Sequence, residues 1–264
     1  MLRALSALIL LIAAYCIGSL DAGPAFAQNA AAPAAHGGGH FGDIADPSKW
    51  PVSSVGTVTV PWHTNLITQC TGTLVGPKLV LTAAHCLYLG GQMATPRSVH
   101  FSAGLNKGAA AAHSVAASLE VSPDFNPQSE GGIAGADADW AIVTLADALT
   151  SRPVGVRALS AEEFRAVAAA NSAMQVGYGR DRPYLPSIVR NCEIAEGPSQ
   201  AVFTYRCLVN FGYSGAPIIA AAAGEPAIIG IGSRGSLPGA ADPLGIACSA
   251  TQFAGRLKEL LEAR

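Results

Sequence analysis

Short β-type runs broken by Gly, Pro and Asn fill the chain from Trp50 to Ser249, and this rhythm limits the possible folds more than any other feature. One series covers residues 55–60, 66–75, 79–82, 99–103, 117–121 and 140–145. A second covers residues 174–178, 187–194, 201–209, 216–221, 227–232 and 245–249. Between them, Ser160-Ala161-Glu162-Glu163 has the spacing of a capping box and leads into the helix-prone residues 164–170. After Ser249 the period changes, with Phe253, Leu257, Leu260 and Leu261 at helical intervals and Thr251 as the expected cap. Two series of short strands closed by a helix predict an all-β molecule built from two barrels. No internal repeat is evident.

The N-terminus has a different purpose. Arg3 precedes an apolar run over residues 4–17, and Ala25-Phe26-Ala27 places small residues where a signal peptidase reads them. Residues 1–27 are therefore expected to be a secretory signal peptide. A lipidated Cys16 is disfavoured because bulky Tyr15 precedes it. No later segment has the roughly 18 uninterrupted apolar residues of a membrane-spanning helix, so the mature protein is expected to be soluble, secreted or periplasmic, and monomeric. Residues 28–49, rich in Ala, Gly and Pro at first and carrying His36 and His40, read as a flexible leader or pro-segment before a domain at 50–264. Within that domain the first barrel is expected at about 50–150, the second at about 172–250 and the helix at about 251–263. With 16 Lys and Arg against 18 Asp and Glu, no basic excess exists to pair with phosphates, which excludes a nucleic-acid binder.

Loss of the signal leaves Cys70, Cys86, Cys192, Cys207 and Cys248. Export exposes them to an oxidising compartment, so two disulfides and one free thiol are expected. No Cys-x-x-Cys or His-x-x-x-His spacing occurs, and neither a metal site nor a cofactor is expected.

Three local clusters carry chemistry. Leu81-Thr82-Ala83-Ala84-His85-Cys86 ends an apolar run, Asp139-Trp140-Ala141-Ile142-Val143 opens another, and Gly212-Tyr213-Ser214-Gly215-Ala216-Pro217 is a Gly-rich turn with Ser at its apex. Taken singly, each is an ordinary turn or strand end. Jointly they supply what acyl transfer needs. A serine hydroxyl needs an imidazole to take its proton, and the imidazole needs a carboxylate to orient it. The developing oxyanion needs backbone N–H donors, which a Gly-flanked turn leaves open. Chain order then separates the hydrolase folds. An α/β-hydrolase places its His after its Ser, but the last histidine here is His113. A subtilisin order would need Asp43 or Asp46, both in the leader. The order His85, Asp139, Ser214 uses all three clusters.

On these motifs the chain resembles the trypsin/chymotrypsin-like serine peptidases, and among them the exported bacterial V8-like, glutamyl-endopeptidase-like branch. The Thr-Ala-Ala-His-Cys motif stands intact at residues 82–86, and Asp139-Trp140-Ala141 is similar to the Asp motif. Residues 50–56 resemble the opening strand of that branch, and Gly230-Ile231-Gly232-Ser233-Arg234-Gly235 resembles the strand on which substrate lies.

The resemblance implies two six-stranded antiparallel β-barrels with a C-terminal helix and a triad in the cleft between them. It implies Ser214 as nucleophile, His85 as general base, Asp139 as orienting carboxylate, and an oxyanion hole from the N–H groups of Gly212 and Ser214. Leu208 and Val209 would wall the specificity pocket, with Ser233, Arg234 and Gly235 along the polypeptide substrate. Cys70 is implied to pair with Cys86, and Cys192–Cys207 is expected to tie neighbouring strands, leaving Cys248 free.

The chain departs from the family pattern at four positions. Tyr213 replaces the Asp that pairs with a newly cut N-terminus in zymogen-activated members, and Ala216 replaces a Gly. Arg234 stands where many relatives have an aromatic residue, and Gly232 stands near the place of a specificity histidine. No acid walls the pocket, so uncharged P1 side chains are expected over Lys or Arg. A catalytically weak or inactive protease-fold binding protein, or an esterase on the same fold, are the alternatives.

Overall fold

The computed structural model describes residues 42–129, 133–221, 224–236 and 243–263, and the signal and most of the leader lie outside them. The first barrel contains β2 (Val55–His63), β3 (Leu66–Gly76), β4 (Leu79–Thr82), β7 (His100–Ala103), β8 (Ala112–Val121) and β9 (Ala141–Leu145). It closes in the order β2-β3-β4-β9-β8-β7. Between β4 and β7 lies a small hairpin of β5 (Tyr88–Leu89) and β6 (Gln92–Met93). Closure brings β2 against β7 at Gly56↔Ala103. A side chain at Gly56 would meet the Ser102 carbonyl at 2.2 Å, so the seam needs glycine there.

The second barrel contains β11 (Ala173–Gly177), β12 (Ser187–Glu196), β13 (Val202–Arg206), β14 (Pro217–Ala220), β15 (Ala227–Gly235) and β16 (Gly245–Ser249). Its order is β12-β11-β14-β15-β16-β13, and the β12–β13 pairing closes the ring. Two short strands extend this sheet: β1 (Asp43–Ile44) on β12, and β10 (Gly155–Val156), parallel to β15. Both disulfides form as expected, Cys70–Cys86 and Cys192–Cys207, with Cys248 a buried free thiol.

The continuous apolar runs of β4 and β9 follow from burial on both faces. Val80, Val143 and Leu145 point into the first barrel. Their neighbours Leu79, Leu81, Trp140 and Ile142 join Ile219, Ile228 and Ile231 of the second barrel in one cluster. Phe253 and Leu257 complete that cluster, so the C-terminal helix α2 (Ala254–Glu262) packs against both barrels. Helix α1 (Ala161–Ala169) begins on the predicted capping box: Ser160 Oγ accepts from Glu163 N–H at 3.2 Å, and Glu163 Oε2 accepts from Ser160 N–H at 2.8 Å. Its Phe164 and Val167 pack on the second barrel, with the Phe164 ring 5.2 Å from that of Phe203.

Two expectations need correction. Thr251 does not cap α2. It lies in a 3₁₀ turn, Ala250–Gln252, capped by Ser249 Oγ, and α2 starts at Ala254 without a side-chain cap. The reason is that Phe253 is drawn into the cluster between the barrels and offsets the helix start. The leader also becomes ordered earlier than Trp50. Asp43 and Ile44 pair with Ile188 and Ser187, Ala45 N–H donates to the Pro186 carbonyl, and Ala45 is buried.

Candidate active site

His85 sits in the 3₁₀ turn Ala84–Leu87 that follows β4, and the Cys70–Cys86 bridge ties this turn to β3. Asp139 directly precedes β9, which pairs with β4 through Thr82↔Ala141. That pairing brings the two side chains together. Asp139 is fully buried, and its carboxylate receives three donors. His85 N–H donates to Oδ1 at 2.9 Å, His85 Nδ1 lies 2.7 Å from Oδ2, and Ser233 Oγ donates to Oδ2 at 2.6 Å. Burial alone would raise this carboxyl, but the charge and hydrogen bonds of His85 and the Ser233 hydroxyl outweigh it and hold the group below its ordinary range. The His85 ring remains 38% exposed, open to the cleft.

Ser214 lies in the loop between β13 and β14, flanked by Gly212 at φ +94° and Gly215 at φ +75°. Side chains there would strike the Tyr178 carbonyl at 2.5 Å and the Thr71 carbonyl at 2.3 Å. Thr71 of β3 grips this loop from the other barrel. Its N–H donates to the Ser214 carbonyl at 2.9 Å and its Oγ1 to the Gly212 carbonyl at 2.9 Å. On the far side Gly215 N–H donates to the Gly232 carbonyl at 2.7 Å, which fastens the loop to β15. Tyr213 N–H and Ala216 N–H also find carbonyl partners. The N–H groups of Gly212 and Ser214 donate to no backbone carbonyl among the described residues.

Ser214 and His85 line one cleft of about 360 Å³, together with Leu208, Val209, Ser233, Arg234 and Gly235. The last β14–β15 pair is Pro217↔Ile231, so residues 233–235 present a strand edge free of β14. The structure thus brings together every sequence-derived site residue lining the cleft, and Gly212 flanks it. It also adds Tyr205, Asn210, Phe211 and Ser236 to the walls. Arg234 Nη1 donates to the Ser129 carbonyl at 3.4 Å, so its guanidinium reaches toward a neighbouring cleft of about 260 Å³ beside Phe125. The sulfurs of Cys70 and Cys86 and a ring nitrogen of His85 lie within 4.8 Å of one another, but the disulfide consumes both sulfurs. Asp137, the near neighbour of Asp139, instead offers its carbonyl to the Cys248 thiol at 3.2 Å. His100 and His113 pair with each other on β7 and β8 at 3.1 Å, away from this cleft. Another cavity, about 230 Å³ between α1 and the β12–β13 hairpin, contains none of these groups.

Sequence reasoning missed two contributors. Ser233 was expected to meet substrate through its backbone, whereas its side chain also holds Asp139. Thr71 stands next to Cys70 in the chain, but nothing in the sequence signals that it spans to the loop that carries Ser214.

Two closed barrels, with an imidazole–carboxylate pair on one and a serine-bearing loop on the other, define the chymotrypsin-like fold. A solved structure described as a Glu endopeptidase in complex with MPD shares this fold at TM-score 0.64 and 16% identity, over 84% of this chain and 95% of that one. The trypsin family model matches residues 52–255, and the chain belongs to that family. It is accordingly a serine-type endopeptidase, a hydrolase acting on peptide substrates. No curated protein matches the chain.

Proposed function

We propose that the protein is an exported endopeptidase that works through an acyl-enzyme on Ser214. The observation that carries this reading is the continuous arrangement Ser233–Asp139–His85 opening onto the cleft that Ser214 lines. Asp139 accepts from Nδ1, which leaves His85 Nε2 as the basic nitrogen. Ser214 Oγ attacks the scissile carbonyl while Nε2 takes its proton, and the N–H groups of Gly212 and Ser214 stabilise the oxyanion. Collapse breaks the C–N bond, and the imidazolium returns the proton to the leaving amine. Water, deprotonated by His85, then hydrolyses the ester.

The free edge at residues 233–235 supports binding of substrate as an added strand. No acidic residue lines the cleft among the described residues, so a buried Lys or Arg at P1 would lose solvation without a partner, a penalty of several kcal/mol. The aliphatic stem returns about 0.8 kcal/mol per buried CH₂. Uncharged P1 side chains are therefore favoured. The two disulfides and the apolar N-terminus support export, and no helix among the described residues is long and apolar enough to cross a membrane.

A fluorophosphonate label on mature protein tests the assignment. Labelling at Ser214, lost in Ser214→Ala and strongly reduced in His85→Ala, is expected, with peptide hydrolysis falling by several orders of magnitude in both. Near-wild-type turnover in either folded variant would overturn it, and a protein that binds peptides without labelling would be an inactive binding module.

A further inference from the structure

We infer that Gln175 and Tyr205 read the P1 side chain in the cleft beside Ser214, and that with the Tyr213 carbonyl they select a primary carboxamide, as in glutamine. The inference rests on the peptidase reading and names its substrate class.

Gly232 lies on the cleft wall, and a Cβ built there would stand 2.8 Å from Tyr205 Oη, 3.1 Å from the Tyr213 carbonyl oxygen and 3.4 Å from Gln175 Nε2. Three polar atoms therefore converge on the space that a side chain at 232 would fill. Tyr205 reaches this space because Gly245 is bare as well: a Cβ at 245 would lie 2.2–2.5 Å from the phenol ring.

Gln175 is fully buried on β11. Its Oε1 accepts from Leu208 N–H at 2.8 Å, which orients the amide and turns Nε2 toward Gly232. That Nε2 makes no well-formed hydrogen bond among the described residues, and its nearest influence is a weak pull on the Tyr205 hydroxyl. A buried donor is rarely left unpaired unless something else completes it. Tyr205 remains protonated, since burial pushes its phenol up to about 12 against a smaller opposing pull from Gln175. The site thus offers two neutral donors, Nε2 and Oη. It offers one acceptor, because the Tyr213 carbonyl already takes Ala216 N–H and keeps a second lone pair.

A carboxamide matches that pattern. Its oxygen accepts from Gln175 and Tyr205, and its NH₂ donates to Tyr213. A carboxylate satisfies the donors but sets its second oxygen against the Tyr213 carbonyl, and the Arg234 guanidinium reaches to Ser129 rather than to this point. An aliphatic side chain leaves all three groups unmet. Sites built to hydrogen-bond a polar group reject analogues lacking it far more strongly than apolar pockets reject a size change.

The test uses peptides differing only at P1, with Gln, Asn, Glu, Leu, Met or Lys, cleaved by mature enzyme. In parallel, peptides ending in Gln, Glu or Leu are titrated calorimetrically onto Ser214→Ala. A kcat/KM for Gln about tenfold or more above Glu and Leu is expected, with the same rank order in binding. Tyr205→Phe and Gln175→Glu should each lower the Gln-to-Leu ratio by about tenfold or more. Tyr205→Phe, which deletes a single hydroxyl, decides the matter if the Gln175 variant fails to fold. Equal or better use of Glu or Leu, or an unchanged ratio in Tyr205→Phe, would overturn the inference. Turnover without a Gln preference would sink it and leave the peptidase reading intact. Gln-selective binding without turnover would do the reverse.

Discussion

Ser233→Ala isolates one hydroxyl in the proposed catalytic arrangement and leaves the backbone of the proposed substrate edge in place. In the folded protein this hydroxyl is one of three donors to the buried Asp139 carboxylate, at 2.6 Å. The carboxylate has no access to solvent, so water cannot replace the lost donor without opening the site. A hydrogen bond to a charged group contributes about 1.5–3 kcal/mol. If the full amount appears in the transition state, where Asp139 must stabilise an imidazolium, kcat/KM falls roughly 10- to 150-fold at about 1.4 kcal/mol per decade. The loss should fall on kcat more than on KM, because the hydroxyl does not touch substrate. A double-mutant cycle with Asp139→Asn gives the sharper readout. Asp139→Asn alone should cost on the order of 10⁴ in kcat, the magnitude of the family's Asp-to-Asn case. Once the carboxylate is gone, Ser233→Ala should cost little more. A Ser233→Ala effect below about twofold, or one fully additive with Asp139→Asn, would refute the claim that Ser233 acts through Asp139.

Three further outcomes are expected. Asp139 has a depressed folded-state pKa, so its stabilising contribution is present above the unfolded value near 3.9 and is lost as pH falls through the folded value. Asp139→Asn should therefore show a shallower loss of stability in urea titrations below about pH 4 than the wild type, and parallel curves would refute this. Cys248 is buried, and burial, then Asp139 and Asp137, push its thiol well up. Iodoacetamide should leave the native mature protein unmodified and alkylate Cys248 after unfolding without reductant, as read by intact mass. Phe253→Ala empties the centre of the cluster between the barrels and should cost about 3–5 kcal/mol in denaturant unfolding. A loss below about 1 kcal/mol would show that α2 is not needed to join the barrels.

The parts of the molecule legible in the sequence were those whose causes are local. Residues 79–82 read as a strand because four consecutive apolar or β-branched residues suit a strand buried on both faces, and β4 is such a strand. The capping box at Ser160 and Glu163 was legible because both partners lie within one helical turn. The fold was legible because the Ser, His and Asp clusters each carry their own flanking context and their chain order selects among folds, and the structure sets His85 against Asp139 and on one cleft with Ser214. The start of α2 was not legible, because a tertiary contact at Phe253 overrode the local preference of Thr251 for a cap. The ordered stretch at residues 43–45 was missed for a similar reason, since its partners Ile188, Ser187 and Pro186 lie far along the chain.

The chemistry of the cleft divides along the same line. The proposed triad lies where two strand ends and one turn meet, and the flanking residues of each motif hold that turn or strand end, as Gly212 and Gly215 do for Ser214. Specificity is set differently. It depends on Gly232 and Gly245 having no side chains, and on a Tyr and a Gln from two other strands that enter the vacated space. A glycine within a strand reads as a weakness or a bulge, and neither reading indicates which side chain fills the gap. Gln175, in the apolar stretch Met174–Tyr178, reads as the polar exception in a buried strand, yet that exception is itself the signal. A buried amide held by one backbone N–H and carrying an unpaired NH₂ is a group in wait of a partner. A chain that buries it behind Gly232, with the Tyr205 hydroxyl on the cleft wall beside it, equips the cleft to meet oxygen rather than charge, which is why the absence of an acidic wall does not make this pocket a merely apolar one.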